Sequence, residues 1–241
     1  WGYWAPGGLL TIAGSVAIPV LDLGAFIHQD IPEIDNFSSD FQLQRTLDNN
    51  WNGWIANLGG EVNKEKFSAG GLQFSYREEQ LQLAAKTLSI DSLVNILLQF
   101  DWLEGRALDA LTTLSPTGAL ENMHLEINTS AEPGQFFSLR ANLDNVALNP
   151  WHGSPGATGV TGYITAQPGG GTLVLDSSHF TLEFPVVYHN TLDLGHTRAQ
   201  VSWRIGESHV YVDSGPIEII ADHGPSTGLL RLALPVDKAS G

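Results

Sequence analysis

From Gly159 to Pro235, apolar and polar residues alternate with hardly a break. Phe180, Leu182 and Phe184 fall on one side of an extended chain, with Thr181 and Glu183 on the other. The run Ala199-Gln200-Val201-Ser202-Trp203-Arg204-Ile205 repeats the scheme. A period of two belongs to strands with one apolar and one wet face, because successive side chains point to opposite sides of the pleat. Gly169-Gly170-Gly171, Gly195, Gly206 and Asp213-Ser214-Gly215 separate the runs and supply turn chemistry. The stretch predicts an antiparallel meander. What covers its apolar face then becomes the functional question.

The chain before it reads in the same way. Leu9 to Leu23 predicts one long strand or a hairpin, broken by Gly14 and Pro19, whereas Phe26 to Phe37 has no clean period and reads as a loop. Phe41–Gln44 and Trp51–Ile55 are strands flanking the turn residues Asp48-Asn49-Asn50, and Gly71–Tyr76 with Gln80–Leu83 makes a hairpin. At Ser89 the period changes. Leu93, Ile96, Leu97 and Phe100 recur at helical spacing, with Ser89 or Asp91 available as an N-cap. A second short helix is expected over Glu104 to Leu114, stopped by Ser115-Pro116-Thr117-Gly118. Strands resume at Met123–Ile127 and Phe137–Ala141, and the residues from Asn149 to Gly156 form a loop. The result is a mostly β chain with two short helices near residues 89–114. It divides into a first β section at 1–88, a helical insertion at 89–116 and a second β section at 117–241. The two β sections form a weak architectural repeat without a strict period.

Two short helices cannot blanket so many strands. A second packed sheet, closure into a barrel, or an apolar ligand in an open trough would each solve the problem. Bulky residues alternating with short polar ones suit a single layer bent around a guest, and suit half of a sandwich equally well.

Composition narrows the partners. Against 26 acidic residues stand 11 basic ones, a formal charge of −15. Such a surface repels phosphate backbones, so nucleic acid is not expected as a partner, and it carries no polybasic patch for anionic lipid. The absence of cysteine removes disulfides and thiolate metal sites. No run of about 18 apolar residues is present to span a membrane. The first residue is Trp1, and the chain reads as a piece of a longer or processed protein.

Catalytic and metal patterns each have a plainer reading. His28, His124, His152, His179, His189, His196, His209 and His223 include no His-x-x-x-His pair, although His189 and His196 straddle a turn, so no metal site is assigned. Glu183 and Glu218 fall on expected strands, and a glycosidase needs two such carboxylates, yet strand faces offer such pairs by chance. The triple glycine lacks the helix and lysine of a phosphate loop, and no Gly-x-Ser-x-Gly elbow occurs. Trp51, Trp54 and Trp102, with Trp1 and Trp4, suit a stacking patch, but core filling is the plainer role for large aromatics. No enzyme activity and no cofactor are expected.

A resemblance adds more. The segment Leu114 to Asn122, reading LSPTGALEN, followed by an alternating strand, resembles a recurring segment of the AsmA-like superfamily, in particular its YhdP-type members. Phe137 to Leu148 (FSLRANLDNVAL), Gly159 to Ile164 and Gly170 to Ser177 continue the likeness, which is densest from about Leu114 to Ala221. The resemblance implies an elongated, twisted antiparallel sheet that forms an apolar groove. It also implies a bridge-like lipid-transfer protein of the Gram-negative periplasm, anchored in the inner membrane by parts of the parent chain outside this one. Under this reading the chain is one section of a conduit that shelters phospholipid acyl chains on their way to the outer membrane. The expected lining is Phe137, Leu139, Leu173, Leu175, Phe180, Leu182, Phe184, Val201, Trp203 and Ile205. The competing reading is a compact β-sandwich that recognises glycan or protein.

Overall fold

The computed structural model describes the chain except residues 1, 5–8, 23–32, 47, 49, 100–104, 132–134, 152, 222–223 and 236–241. Among the described residues, seventeen strands join in one open antiparallel sheet. Strands β1 (Gly2–Trp4), β2 (Leu10–Leu21), β3 (Ile34–Arg45), β4 (Trp51–Val62), β5 (Glu65–Arg77) and β6 (Gln80–Ser89) pair in chain order. Helices α1 (Ile90–Gln99) and α2 (Gly105–Leu114) follow, and β7 (Thr117–Asn128) then returns directly beside β6. The sheet therefore runs unbroken past the helical insertion. β8 (Phe137–Leu148), β9 (Gly156–Gln167) and β10 (Gly170–Ser177) extend it.

Local chemistry explains most of these elements. Asn63-Lys64 and Glu78-Glu79 both take positive φ, giving tight hairpins whose twist matches the flanking strands. The Ser92 amide donates to Ser89 Oγ at 3.1 Å, so Ser89 is the N-cap of α1. Asp91 instead accepts from the Gly118 amide at 3.1 Å and ties the start of α1 to β7. α1 lies against β5, β6 and β7 and buries Val94.

One sequence alternative is settled and two expectations change. Leu10–Leu21 is one strand despite Gly14 and Pro19, because the ladder to β3 skips Pro19, which has no amide hydrogen to give. Ile34–Phe37, expected in a loop, is the start of β3; the rest of that expected loop, up to residue 32, falls largely outside the described residues. The closing region is branched rather than a simple meander. β10 pairs with β13 (His196–Ile205), bypassing the short β11 (Thr181–Glu183) and β12 (Leu192–Asp193), while β11 continues along β9 where β10 has ended. β13 pairs with β14 (His209–Ser214) and, near its start, with β15 (Ile217–Ala221). β16 (Gly224–Gly228) joins β15, and β17 (Arg231–Pro235) joins β14.

The sheet is disturbed along a line. Six strands carry an apolar-x-Asn/Gly-apolar pattern: Ile34–Phe37, Ile55–Leu58, Ala69–Leu72, Leu120–Met123, Leu143–Val146 and Ala157–Val160. In each the third residue is left-handed, with φ of 50° at Asn36, 53° at Asn57, 67° at Gly71, 48° at Asn122, 50° at Asn145 and 70° at Gly159. The ladders shift register or skip residues at these places. The line steps along the strands between β3 and β4 and again between β7 and β8, so it crosses the sheet obliquely. The buried core follows it. One cluster is Ile34, Val62 and Phe67, a second Ala85, Met123 and Ala141, and a third Leu143, Val146, Val160, Leu175 and Ala199.

Candidate functional site: a continuous apolar face

In an antiparallel pair, directly opposed residues share a face. Following opposed partners from strand to strand therefore draws a row across the sheet. One such row runs Ile12, Leu43, Gly53, Phe74, Leu83, Leu125, Leu139, Ala166, Gly171, Trp203, Val212 and Leu232. Every member is apolar or glycine. The next residue over begins a polar row: Gln42, Trp54, Gln73, Ala84, His124, Arg140, Thr165, Thr172, Ser202, Asp213 and Arg231. The apolar row crosses twelve strands, roughly 50 Å at about 4.8 Å per strand spacing, and the neighbouring row, polar except at Trp54 and Ala84, runs beside it over eleven of them.

The two glycines in the apolar row are not gaps. A Cβ on Gly53 would lie 3.0 Å from the Phe74 ring, and one on Gly171 would lie 2.3 Å from the indole of Trp203. Each ring lies across its neighbouring glycine and covers backbone that would otherwise break the oily surface. The row residues themselves, from Leu43 and Phe74 to Leu125, Leu139 and Trp203, are only half-buried.

The expected lining residues divide into groups. Leu139 and Trp203 stand in the row. Leu173 opposes Val201 and Ile164, and Phe137 opposes Ile127, all on the same face. Leu175 is on that face too but is 5% exposed, shut in by Val160, Ala199 and their neighbours. Leu182 opposes Ala157, and Phe180 is partly buried against the Leu175 cluster. Phe184 is buried beyond the end of β11, where its carbonyl accepts from the amides of Val187 and Tyr188, a turn rather than strand. Ile205 is half exposed at the end of β13. The sequence reading placed no lining residue before Phe137, yet Leu43, Phe74, Leu83 and Leu125 continue the face without interruption. Their alternation in Phe41–Gln44 and Gly71–Tyr76 was the available signal.

Charge stays off the apolar row. Arg45 sits at its margin opposite Trp51, its guanidinium 5.6 Å from the indole centroid. On the polar face Asp176 accepts from Arg198 at 3.2 Å and meets His196 at 2.7 Å; these contacts, His196 first, hold its carboxyl below the usual aspartate range. Asp40 is lowered similarly by hydrogen bonds from Ser15 and then Asn57, the latter 2.6 Å away. A cleft of about 550 Å³ is lined chiefly by polar-face residues such as His124, Glu126, Arg140, Thr165 and Gln167. Leu139, Ala166, Gly171 and Trp203 of the apolar row also line it.

Among the described residues no His, Asp and Glu group is arranged to hold a metal ion, and no helix is long and apolar enough to cross a membrane. Trp1, Trp102, His28, His152, His223 and Phe100 lie outside the described residues. No curated protein and no solved structure matches the chain. The family model described as YhdP protein matches residues 21–239, nearly the whole of a chain built as one open antiparallel sheet, and the chain belongs to the YhdP family.

Proposed function

We propose that this chain is a section of a lipid-transfer conduit, sheltering phospholipid acyl chains along its apolar face. The observation that carries the reading is the unbroken row from Ile12 to Leu232, uncharged, exposed at Ile12 and half-buried from Leu43 onward, on one side of a single sheet. Exposed apolar surface of this extent needs an occupant. Acyl chains suit it because their burial yields about 0.8 kcal/mol per CH₂ and asks for no directional contact. A tail can then slide from one strand to the next with little change in energy, while its head group stays in water. Membership of the YhdP family supports a place in the periplasm between inner and outer membranes, with the parent chain anchored in the inner one. All seventeen strands belong to one open sheet, which disfavours the compact sandwich of a glycan- or protein-binding module.

Mass spectrometry of an organic extract of the purified chain tests the proposal. Phospholipid should co-purify, and the paired change Leu125→Asp with Leu139→Asp should strip it from protein that still folds. Protein free of lipid from the outset, or a folded variant that keeps its full load, would defeat the reading.

A further inference from the structure

The oblique line of left-handed residues has a consequence for what the groove can hold. Asn36, Asn57, Asn122 and Asn145 adopt backbone angles that glycine, asparagine and aspartate take more readily than other residues. In the pattern around them the two middle residues share the outer side: Asp35 with Asn36, Glu121 with Asn122, and Asp144 with Asn145 are all exposed. One extra residue on the outer side lengthens that path, so each bulge bends its strand toward the apolar side. The packing agrees. Leu120 and Met123 stand three residues apart yet share one cluster, and Leu143 and Val146 share another.

We propose that this line is the crease of the trough, and that its left-handed asparagines set the cross-section and hence how many acyl chains lie abreast. The first half of the statement rests on backbone geometry; the second rests on the lipid reading above. Asparagine suits a crease better than glycine alone, because it enters the left-handed region while leaving the unfolded chain less freedom to lose. Asn57 adds a brace, donating to Asp40, which also accepts from Ser15, so that β2, β3 and β4 are linked across the outer face.

The test compares two paired variants of the chain, Asn122→Val with Asn145→Val, and Asn122→Gly with Asn145→Gly. Valine is excluded from the left-handed region by its branched Cβ, whereas glycine keeps it open. Small-angle scattering gives the cross-sectional radius, lipid extraction gives acyl chains per protein, and a melting curve gives the folded fraction. The glycine pair should match the parent in radius and load. The valine pair should show a wider cross-section and a load of folded protein changed roughly twofold, since altered width changes the apolar area open to tails. A folded valine pair with parental radius and load would overturn the proposal. Should the valine pair fail to fold, the alanine pair at the same positions is read by the same criteria. Should the parent chain carry no acyl chains, the lipid reading falls, and the radius alone decides whether the line is a crease.

Discussion

The crease and the wall beyond it are made of the same residue types, yet they do different jobs. Leu143 in the crease is 7% exposed and Met123 5%, enclosed by side chains from strands on both sides of the bend. Leu125 and Leu139, a few residues further along the same strands, are only half-buried. Among the described residues this open sheet is covered by helix α1 alone, which lies against β5, β6 and β7 and packs Ile90 on the Leu143 cluster, so elsewhere it buries apolar groups where it bends over itself. The crease is where the chain supplies its own core; the wall is where it leaves apolar surface for something else. The wall residues Leu83, Leu125 and Leu139 also lean on the Ala85, Met123 and Ala141 cluster, so stability and capacity are separable in part, and substitutions at the two places should differ in size.

The largest effect is expected in the crease. Leu143→Ala should cost about 2–5 kcal/mol, because it removes buried methylenes and leaves a cavity in a packed cluster. Leu139→Ala, on the same strand but half open to solvent, should cost about 1 kcal/mol, in proportion to the smaller area it buries. Denaturant unfolding of the two variants measures the difference. Equal costs would mean that the wall is as well covered as the crease, and the contrast would be lost.

Ser177, a polar side chain buried on the apolar face, sharpens the comparison. It is 0% exposed at the end of β10, where its Oγ accepts from the Thr161 amide at 2.8 Å and donates to the Thr161 carbonyl at 3.2 Å. These bonds stand where the ladder between β9 and β10 stops at Leu175 and Gly162. Ser177→Ala should cost about 1–3 kcal/mol by leaving buried backbone groups without a partner. Ser202→Ala, exposed on the polar face, should cost less than about 0.5 kcal/mol. The same unfolding measurement separates them.

Much of this architecture was legible in the residues. The alternation of Val201, Trp203 and Ile205 placed β13 and its oily side, and the change of period at Ser89 placed both helices. What escaped was the behaviour of Asn36, Asn57, Asn122 and Asn145. A strict period of two breaks at each, since the apolar residues move three apart, and a reader of alternation takes the break for a strand end or a loop. That is why Ile34–Phe37 looked irregular, although it is strand with a bulge. The branched order of β10 to β17 escaped for another reason: pairing between β10 and β13 joins segments separated by two short strands, and local pattern carries no record of long-range partners. The first-half wall is less legible for a different reason: the family likeness is densest in the second half, and before Leu114 only the alternation of short runs such as Phe41–Gln44 marks the face.

The smallest expected effect concerns acid. Asp40 braces β2, β3 and β4 on the outer side beside the crease, and its carboxyl is lowered by Ser15 and then Asn57; Asp176 braces β10 and β13, lowered chiefly by His196. Both are lower in the folded chain than the ordinary aspartate value of 3.8, so their stabilising contribution is complete above that value. It is lost as pH falls from there through the lower folded value, because the folded state must then give up ionised, hydrogen-bonded carboxylates. Both groups are solvent-exposed, which keeps the contribution small and sensitive to salt. The whole chain also changes charge as it is acidified, so the informative quantity is the difference in unfolding midpoint between the parent and Asp40→Asn. That difference should shrink toward zero below pH 3.8, while the Leu143→Ala deficit, which arises from apolar burial, should persist. A Leu143→Ala deficit that vanished in parallel would mean that the crease is held by its outer polar braces rather than by the side chains packed inside it.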